Sequence, residues 1–273
     1  MQMQKVIHYC WFGGNPLPEL AQKCIESWKK FCPDYEIKEW NESNYDVNKC
    51  AYIKDAYKAK KWAFVSDYAR FDILYNHGGL YFDTDVELIR PIDDIIERGP
   101  FMGVENDRKL NVAPGLGLGA YKGMQFYKEI LDVYNNMQFD DDGGKTLTVV
   151  MHTSNILRQK GLKYTDDIQQ VAGIYIYPKD YFAPMNYLTG ELNTTQNTRS
   201  IHHYHQSWLN EEEKNQYIKE CKIRRRFGID RGTKIIRITS LSYRIRGKIQ
   251  KLGIKGTITF IKEKFIKNQI PKK

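Results

Sequence analysis

Asp83 and Asp85 are separated by Thr84 alone and follow directly on the apolar run Leu80-Tyr81-Phe82. If 80–85 is extended, alternate side chains share a face, so Tyr81, Asp83 and Asp85 point the same way. Two carboxylates at that spacing repel unless a positive charge lies between them. A hard divalent cation with oxygen ligands meets that need. Just upstream, Trp62 to Asn76 has the composition of a helix, and Gly78-Gly79 supplies its stop. On that helix Ser66 stands four positions and Asp67 three positions before Arg70, so the three polar groups lie on one face. An arginine fork suits diphosphate oxygens or sugar hydroxyls, and an aspartate acceptor suits sugar hydroxyls.

The flanking chain supplies the scaffold. Val6 to Trp11 reads as a buried strand running into Gly13-Gly14, Pro16 to Phe31 as an amphipathic helix, and Tyr35 to Trp40 as a second strand. Strand, helix, strand is the opening of an α/β nucleotide-binding unit. A weaker helix is expected around 55–60, a short one at 93–97, and a strand at 101–104. The run NVAPGLGLGA at 111–120 has alternate glycines at 115, 117 and 119 but neither the spacing nor the following helix of a phosphate-binding loop. Close strand packing explains it better. Helices are expected at 125–136 and 154–160, and a strand at 171–177. The acidic loop 140–144 lacks the ligand spacing of a calcium loop. A strand-like 201–205 would put His203 and His205 on one face and His202 with Tyr204 on the other. One imidazole there could complete a cation's coordination, while a surface cluster is the plainer alternative.

The chain has 273 residues, enough for one catalytic domain and an appendage, with no apolar run long enough to span a membrane and no secretory signal pattern at its start. Its five cysteines are odd in number and form no CxxC, which reads as reduced thiols in a cytosolic protein. The net charge of +9 is unevenly spread: Lys222 to Lys273 carries 17 Lys and Arg against Asp230 and Glu263, leaving 1–221 net acidic. Within that tail Ile238, Leu241, Ile245, Ile249 and Leu252 form one helical stripe beside Arg237, Arg244, Lys248, Lys251 and Lys255. A basic amphipathic helix of this kind fits an anionic membrane surface. Nucleic acid ranks second, because the aromatic patterning of RNA-binding motifs is missing and the rest of the chain is acidic. The sequence thus divides into 1–220, a catalytic domain, and 221–273, a membrane-surface or acceptor-docking tail.

The stretch SDYARFDILYNHGGLYFDTDVE resembles the core of the DxD glycosyltransferases of the Och1-like and capsular polysaccharide synthesis type (glycosyltransferase family 32), which is related to the glucosylating bacterial toxins. IHYCWFGG at 7–14 is similar to the family's opening strand and loop, and IHHYHQSW at 201–208 to its closing motif. The resemblance implies a GT-A-type α/β fold, a mixed central sheet flanked by helices, here followed by the basic tail. It implies Mn²⁺ or Mg²⁺ held by Asp83 and Asp85, with Asp85 the direct ligand, completed by His202 or His203. It further implies Asp67 and Arg70 on the donor sugar, and Tyr9, Trp11, Ser66, Tyr81 and Asn111 about the nucleotide and sugar, with Trp11 stacking the base. Ser207 and Trp208 would close over the donor. The implied activity is retaining transfer of a hexosyl or N-acetylhexosaminyl group from a nucleotide-diphospho-sugar, UDP-sugar before GDP-mannose. The acceptor would be a glycan or lipid-linked oligosaccharide in bacterial surface polysaccharide synthesis, at the inner face of the plasma membrane. A metal-dependent phosphoesterase and a non-catalytic nucleotide-sugar or carbohydrate-binding protein are the alternatives.

Overall fold

The computed structural model describes residues 3–106, 110–140, 148–205 and 211–241, with 243, 245–247, 249, 253, 256 and 259 beyond them. Its elements run β1 (Val6–Cys10), α1 (Glu19–Phe31), β2 (Glu36–Trp40), α2 (Ala51–Lys58), α3 (Trp62–His77), β3 (Gly79–Tyr81), β4 (Val86–Leu88), α4 (Asp93–Arg98), β5 (Phe101–Asn106) and β6 (Asn111–Val112). They continue β7 (Leu118–Ala120), α5 (Gln125–Asn135), α6 (Val149–Gln159), β8 (Gln169–Val171), β9 (Ile174–Tyr177), α7 (Lys179–Phe182), β10 (Ser200–His202), α8 (Glu211–Phe227) and α9 (Ile229–Thr239).

The central sheet has the order β2-β1-β3-β7-β5-β9-β8, with β6 paired to β5. Pairs β1–β2, β1–β3 and β5–β9 are parallel, while β3–β7, β5–β7 and β8–β9 are antiparallel. This is the mixed α/β architecture that the resemblance implies. A second, two-stranded sheet joins β10 to β4. The strand expected at 171–177 is a hairpin instead. Ala172 and Gly173, at φ 52° and 78°, turn the chain between β8 and β9.

Alternation along β1 and β3 divides the core. Ile7, Tyr9 and Leu80 pack with Trp28 of α1, whereas Cys10 and Tyr81 pack with Phe71 and Leu74 of α3. The switch from α3 into β3 depends on two glycines at φ 70° and 93°. A Cβ on Gly79 would lie 2.7 Å from the Val6 carbonyl, so only glycine lets β3 come in beside β1. The same economy explains 117 and 119, where side chains would strike Phe82 and Phe101. Close packing, the reading drawn from the sequence, accounts for those two positions.

Two compact units divide the chain, Met1–Asn186 with Leu192–Leu209, and Tyr187–Glu191 with Asn210–Lys273. In the second, α8 begins with Glu211, Glu212 and Glu213 and ends with Arg224, Arg225 and Arg226, the charge order that complements a helix dipole. The change of composition near 210–222 therefore lies within one helix. Ile236 is buried there, while Ile238, Leu241, Ile245 and Ile249 are exposed, Ile238 at 76%. Leu252 lies outside the described residues, as does most of the acidic loop 140–144. Among the described residues no helix is long and apolar enough to cross a membrane. The five cysteines are free.

Candidate functional site

Strand β3 ends at Tyr81, and its alternation persists to Asp83, whose Oδ1 accepts a hydrogen bond from the Tyr81 hydroxyl at 3.1 Å. Beyond Asp83 the extended reading fails. Thr84 and Asp85 form a turn closed by the Val86 N–H donating to the Asp83 carbonyl at 3.0 Å. The turn, and not strand alternation, brings Asp85 round beside Asp83. Helix α3 presents Ser66, Asp67 and Arg70 to the same place, as their spacing predicts.

Arg70 is 3% exposed and fully engaged. Its Nε donates to the Ser66 carbonyl at 3.0 Å and its Nη2 to Ser66 Oγ at 3.2 Å. Nη2 also lies 2.9 Å from Asp67 Oδ1 and 3.2 Å from Asp83 Oδ1, while Nη1 reaches Asp83 Oδ2 at 3.4 Å. The guanidinium stands 5.2 Å from the centre of the Tyr81 ring. One cation thus serves two partly buried carboxylates. Burial pushes the Asp67 carboxyl up to about 6 against the pull of Arg70, and burial raises Asp83 in the same way.

Asp85 is held from the other end of the chain. Strand β10 pairs with β4 in a register that sets His202 opposite Val86. His202 Nε2 then lies 3.2 Å from Asp85 Oδ1, and the His205 N–H donates to Asp85 Oδ2 at 2.9 Å. Burial would raise the Asp85 carboxyl, but His202 and the His205 N–H hold it well below the usual carboxylate range. Burial would lower His202, but Asp85 raises it. Ligand atoms of Asp83, Asp85 and His202 all lie within 4.8 Å of one another, and His202 Nδ1 is buried without a hydrogen-bond partner. Two carboxylates and an imidazole are a donor set suited to Mn²⁺ or Mg²⁺, so these residues fit the divalent cation that the resemblance implies.

Several expected members stand elsewhere. His203 is adjacent to His202 but turns to Glu87, its Nε2 2.8 Å from Oε2, and Lys23 shares that carboxylate at 3.0 Å. The structure therefore brings one of the two expected histidines to the carboxylates. Tyr9 is 6% exposed and gives its hydroxyl to Glu39 at 2.6 Å. Alternation in β1 sends Tyr9 toward α1, and the residue that faces Tyr81 is Cys10. Asn111 accepts from Arg158 Nη2 at 3.1 Å, so its amide is engaged by α6. Trp11, half-buried, follows β1 directly, with its Nε1 donating to the Asn15 carbonyl at 2.6 Å. Ser207 and Trp208 lie outside the described residues.

Two residues that the sequence reading did not place at the site belong to it. A Cβ on Gly115 would lie 2.3 Å from Asp83 Oδ2 and 3.5 Å from Arg70 Nη1, so the absent side chain makes room for the carboxylate. Its signal was the glycine-rich run itself. Glu105, on β5, hydrogen-bonds Tyr204 and acts electrostatically on His202. No local pattern distinguishes it from any other acid on a strand.

Residues 18–102 match the family described as a glycosyltransferase sugar-binding region containing the DXD motif. Inositol phosphoceramide mannosyltransferase 1 of Schizosaccharomyces pombe is 26% identical over 112 residues, covering 37% of this chain and 34% of the relative. The chain thus matches about a third of that curated relative's length. Among solved structures, the PaToxG glycosyltransferase aligns with a TM-score of 0.45 at 20% identity, over 58% of this chain and 70% of that one. A glycosyltransferase involved in glycosylation of the major capsid of PBCV-1 gives 0.43 at 10%, over 78% and 98%. The galactosyltransferase LgtC, in complex with donor and acceptor sugar analogues, gives 0.41 at 13%, over 80% and 96%.

Proposed function

We propose that the chain is a metal-dependent glycosyltransferase that takes a sugar from a nucleotide-diphospho-sugar. The observation that carries this reading is the convergence of Asp83, Asp85 and His202 within 4.8 Å, where the two aspartates belong to the stretch 18–102 that matches the DXD region and His202 comes from outside it. Asp83, Asp85 and His202 would hold Mn²⁺ or Mg²⁺, which supplies Lewis-acid neutralisation of a diphosphate leaving group. Arg70 orients Asp83 and opposes the upward pull of burial on its carboxyl. Asp67, fixed by the same guanidinium, offers acceptor oxygens to sugar hydroxyls. His202 and the His205 N–H hold Asp85 in its charged form through the pH range of the cytosol. Because the polar groups are bonded to one another in advance, little reorganisation is needed when charge develops on the leaving group.

The finer assignments follow from the resemblance. They are a GT-A-type fold, retention of configuration, a UDP-sugar donor before GDP-mannose with Trp11 on the base, and a glycan or lipid-linked acceptor of surface polysaccharide synthesis. We assign residues 221–273 to docking on the anionic inner face of the plasma membrane. The exposed Ile238, Leu241, Ile245 and Ile249, set among basic residues, support this.

Thermal unfolding with UDP-, GDP-, ADP- and CMP-sugars, with and without Mn²⁺, tests the central reading on wild type and Asp85→Ala. A ligand that binds only the folded state raises the midpoint by mass action. A shift for one nucleotide class that needs both Mn²⁺ and Asp85 is the expected result. A well-folded wild type that no donor shifts would overturn the transferase reading and favour a phosphoesterase.

A further inference from the structure

Three bonds converge on Asp85 from four consecutive residues. His202 Nε2 and the His205 N–H take its two carboxylate oxygens, at 3.2 and 2.9 Å, and the His203 N–H takes its backbone carbonyl at 2.9 Å. A continuous strand could not do this. In an antiparallel ladder the amides of residues two apart share an edge and bond carbonyls of two different partner residues, whereas here the His203 and His205 amides bond the backbone and side chain of one residue. The chain must bend between them. Strand β10 ends at His202, and Tyr204 takes φ 50°, in the left-handed region that residues with a Cβ seldom occupy.

Something must hold a tyrosine there, and its side chain is well placed to do so. The ring is 8% exposed and lies 4.2 Å from the His202 ring, at an interplanar angle of 57°. Its hydroxyl hydrogen-bonds Glu105 on β5. The His202 ring packs against that ring and meets Asp85 through Nε2, and among the described residues its Nδ1 has no hydrogen-bond partner. Metal-binding imidazoles are generally fixed through their second nitrogen, and here ring packing takes over that task.

We propose that Tyr204 is a positioning residue: its left-handed backbone and its ring against His202 wrap residues 202–205 around Asp85 and thereby set the affinity for the divalent cation. The second half of this statement rests on the cation reading above, whereas the first concerns the polypeptide alone.

The test uses the full chain with Tyr204→Val, Tyr204→Gly and Tyr204→Phe. Valine disfavours the left-handed backbone and removes the ring, glycine keeps the backbone and removes the ring, and phenylalanine keeps both. Two quantities are read: calorimetric titration with Mn²⁺ alone, and amide hydrogen exchange at His203 and His205 in metal-free protein. Valine is expected to weaken Mn²⁺ binding by about tenfold or more, glycine less, and phenylalanine by under about threefold, the range typical of groups that orient a ligand. Exchange at His205 should accelerate in the same order. Wild-type Mn²⁺ affinity and exchange in folded Tyr204→Val would overturn the proposal. If valine prevents folding, glycine decides: binding weaker than in Tyr204→Phe supports the assignment, and wild-type behaviour of glycine overturns it. A wild type that binds no Mn²⁺ overturns the cation reading, and exchange at His205 then decides whether the clasp stands by itself.

Discussion

Asp83 is gripped by its own neighbourhood, by Arg70 and Tyr81 at sequence separations of 13 and 2, whereas Asp85 is held by a segment 120 positions downstream. The two carboxylates differ in charge setting as well. Burial raises Asp83 in spite of Arg70, while His202 and the His205 N–H bring Asp85 well below its ordinary range. The first half is an ion-pair network centred on the buried Arg70, joining α3 to the partly buried Asp83 just after β3. The second is assembled when β10 docks on β4. The contrast suggests a division of labour, in which the α3 side is tied to the stability of the fold and the 202–205 side to holding the ligand.

Removing Arg70 is the strongest way to break that contrast. Arg70→Ala removes a buried guanidinium and leaves the partly buried Asp67 and Asp83 without their cation, and chemical denaturation should show a loss of about 3–5 kcal/mol. A loss no larger than that of an exposed ion pair would mean the network is not structural. Gly115→Ala comes next. Its Cβ would meet Asp83 Oδ2 at 2.3 Å, and forcing the pair apart should cost about 1–3 kcal/mol by the same measurement. An unchanged stability would show that the carboxylate moves aside freely.

The histidines sharpen the other half. His202→Ala should weaken Mn²⁺ binding by about tenfold or more, the scale seen even for groups one step removed from a metal. His203→Ala loses only the Glu87 pair and should leave Mn²⁺ affinity within about threefold. Equal effects of the two would dissolve the distinction the structure draws between them. A further effect is in pH. The Asp67 carboxyl sits at about 6, raised by burial, so the folded state binds this proton more tightly than the unfolded chain. Its contribution to stability is present in full below the unfolded value and is lost as pH rises through about 6. The wild-type midpoint should therefore rise relative to that of Asp67→Asn as pH is lowered from 7 to 4. A constant difference would place the Asp67 titration elsewhere.

How far the sequence foretold this follows the same line. Ser66, Asp67 and Arg70 lie one helical turn apart, and Gly78-Gly79 must follow the helix, so periodicity and turn chemistry locate the Asp83 half. Alternation carries Tyr81 and Asp83 to one face but cannot foresee the turn at Thr84, because the Asp83–Val86 bond that closes it leaves no pattern in the residue types. Periodicity also gave no choice between His202 and His203. That choice is made by the β10–β4 register, which sets His202 opposite Val86, and register across more than a hundred residues has no local signature. Tyr9 was misplaced through resemblance where plain alternation in β1 points it at α1. Gly115 and Glu105 depend on β5 and the segment before β7 passing close to the DxD, a matter of sheet order. In the tail, Ile238 lies on α9, which ends at Thr239, and Leu241, Ile245 and Ile249 lie beyond that end; all four are exposed, as helical spacing of apolar residues on a surface face would have them.

The most direct test of the central claim is an anomalous difference map from crystals grown with Mn²⁺ and UDP. The account predicts a single Mn²⁺ peak in coordination contact with Asp85 and His202, beside Asp83, and with diphosphate oxygens on its open side. A peak between His203 and Glu87, or none at the three residues while the nucleotide is bound, would contradict it.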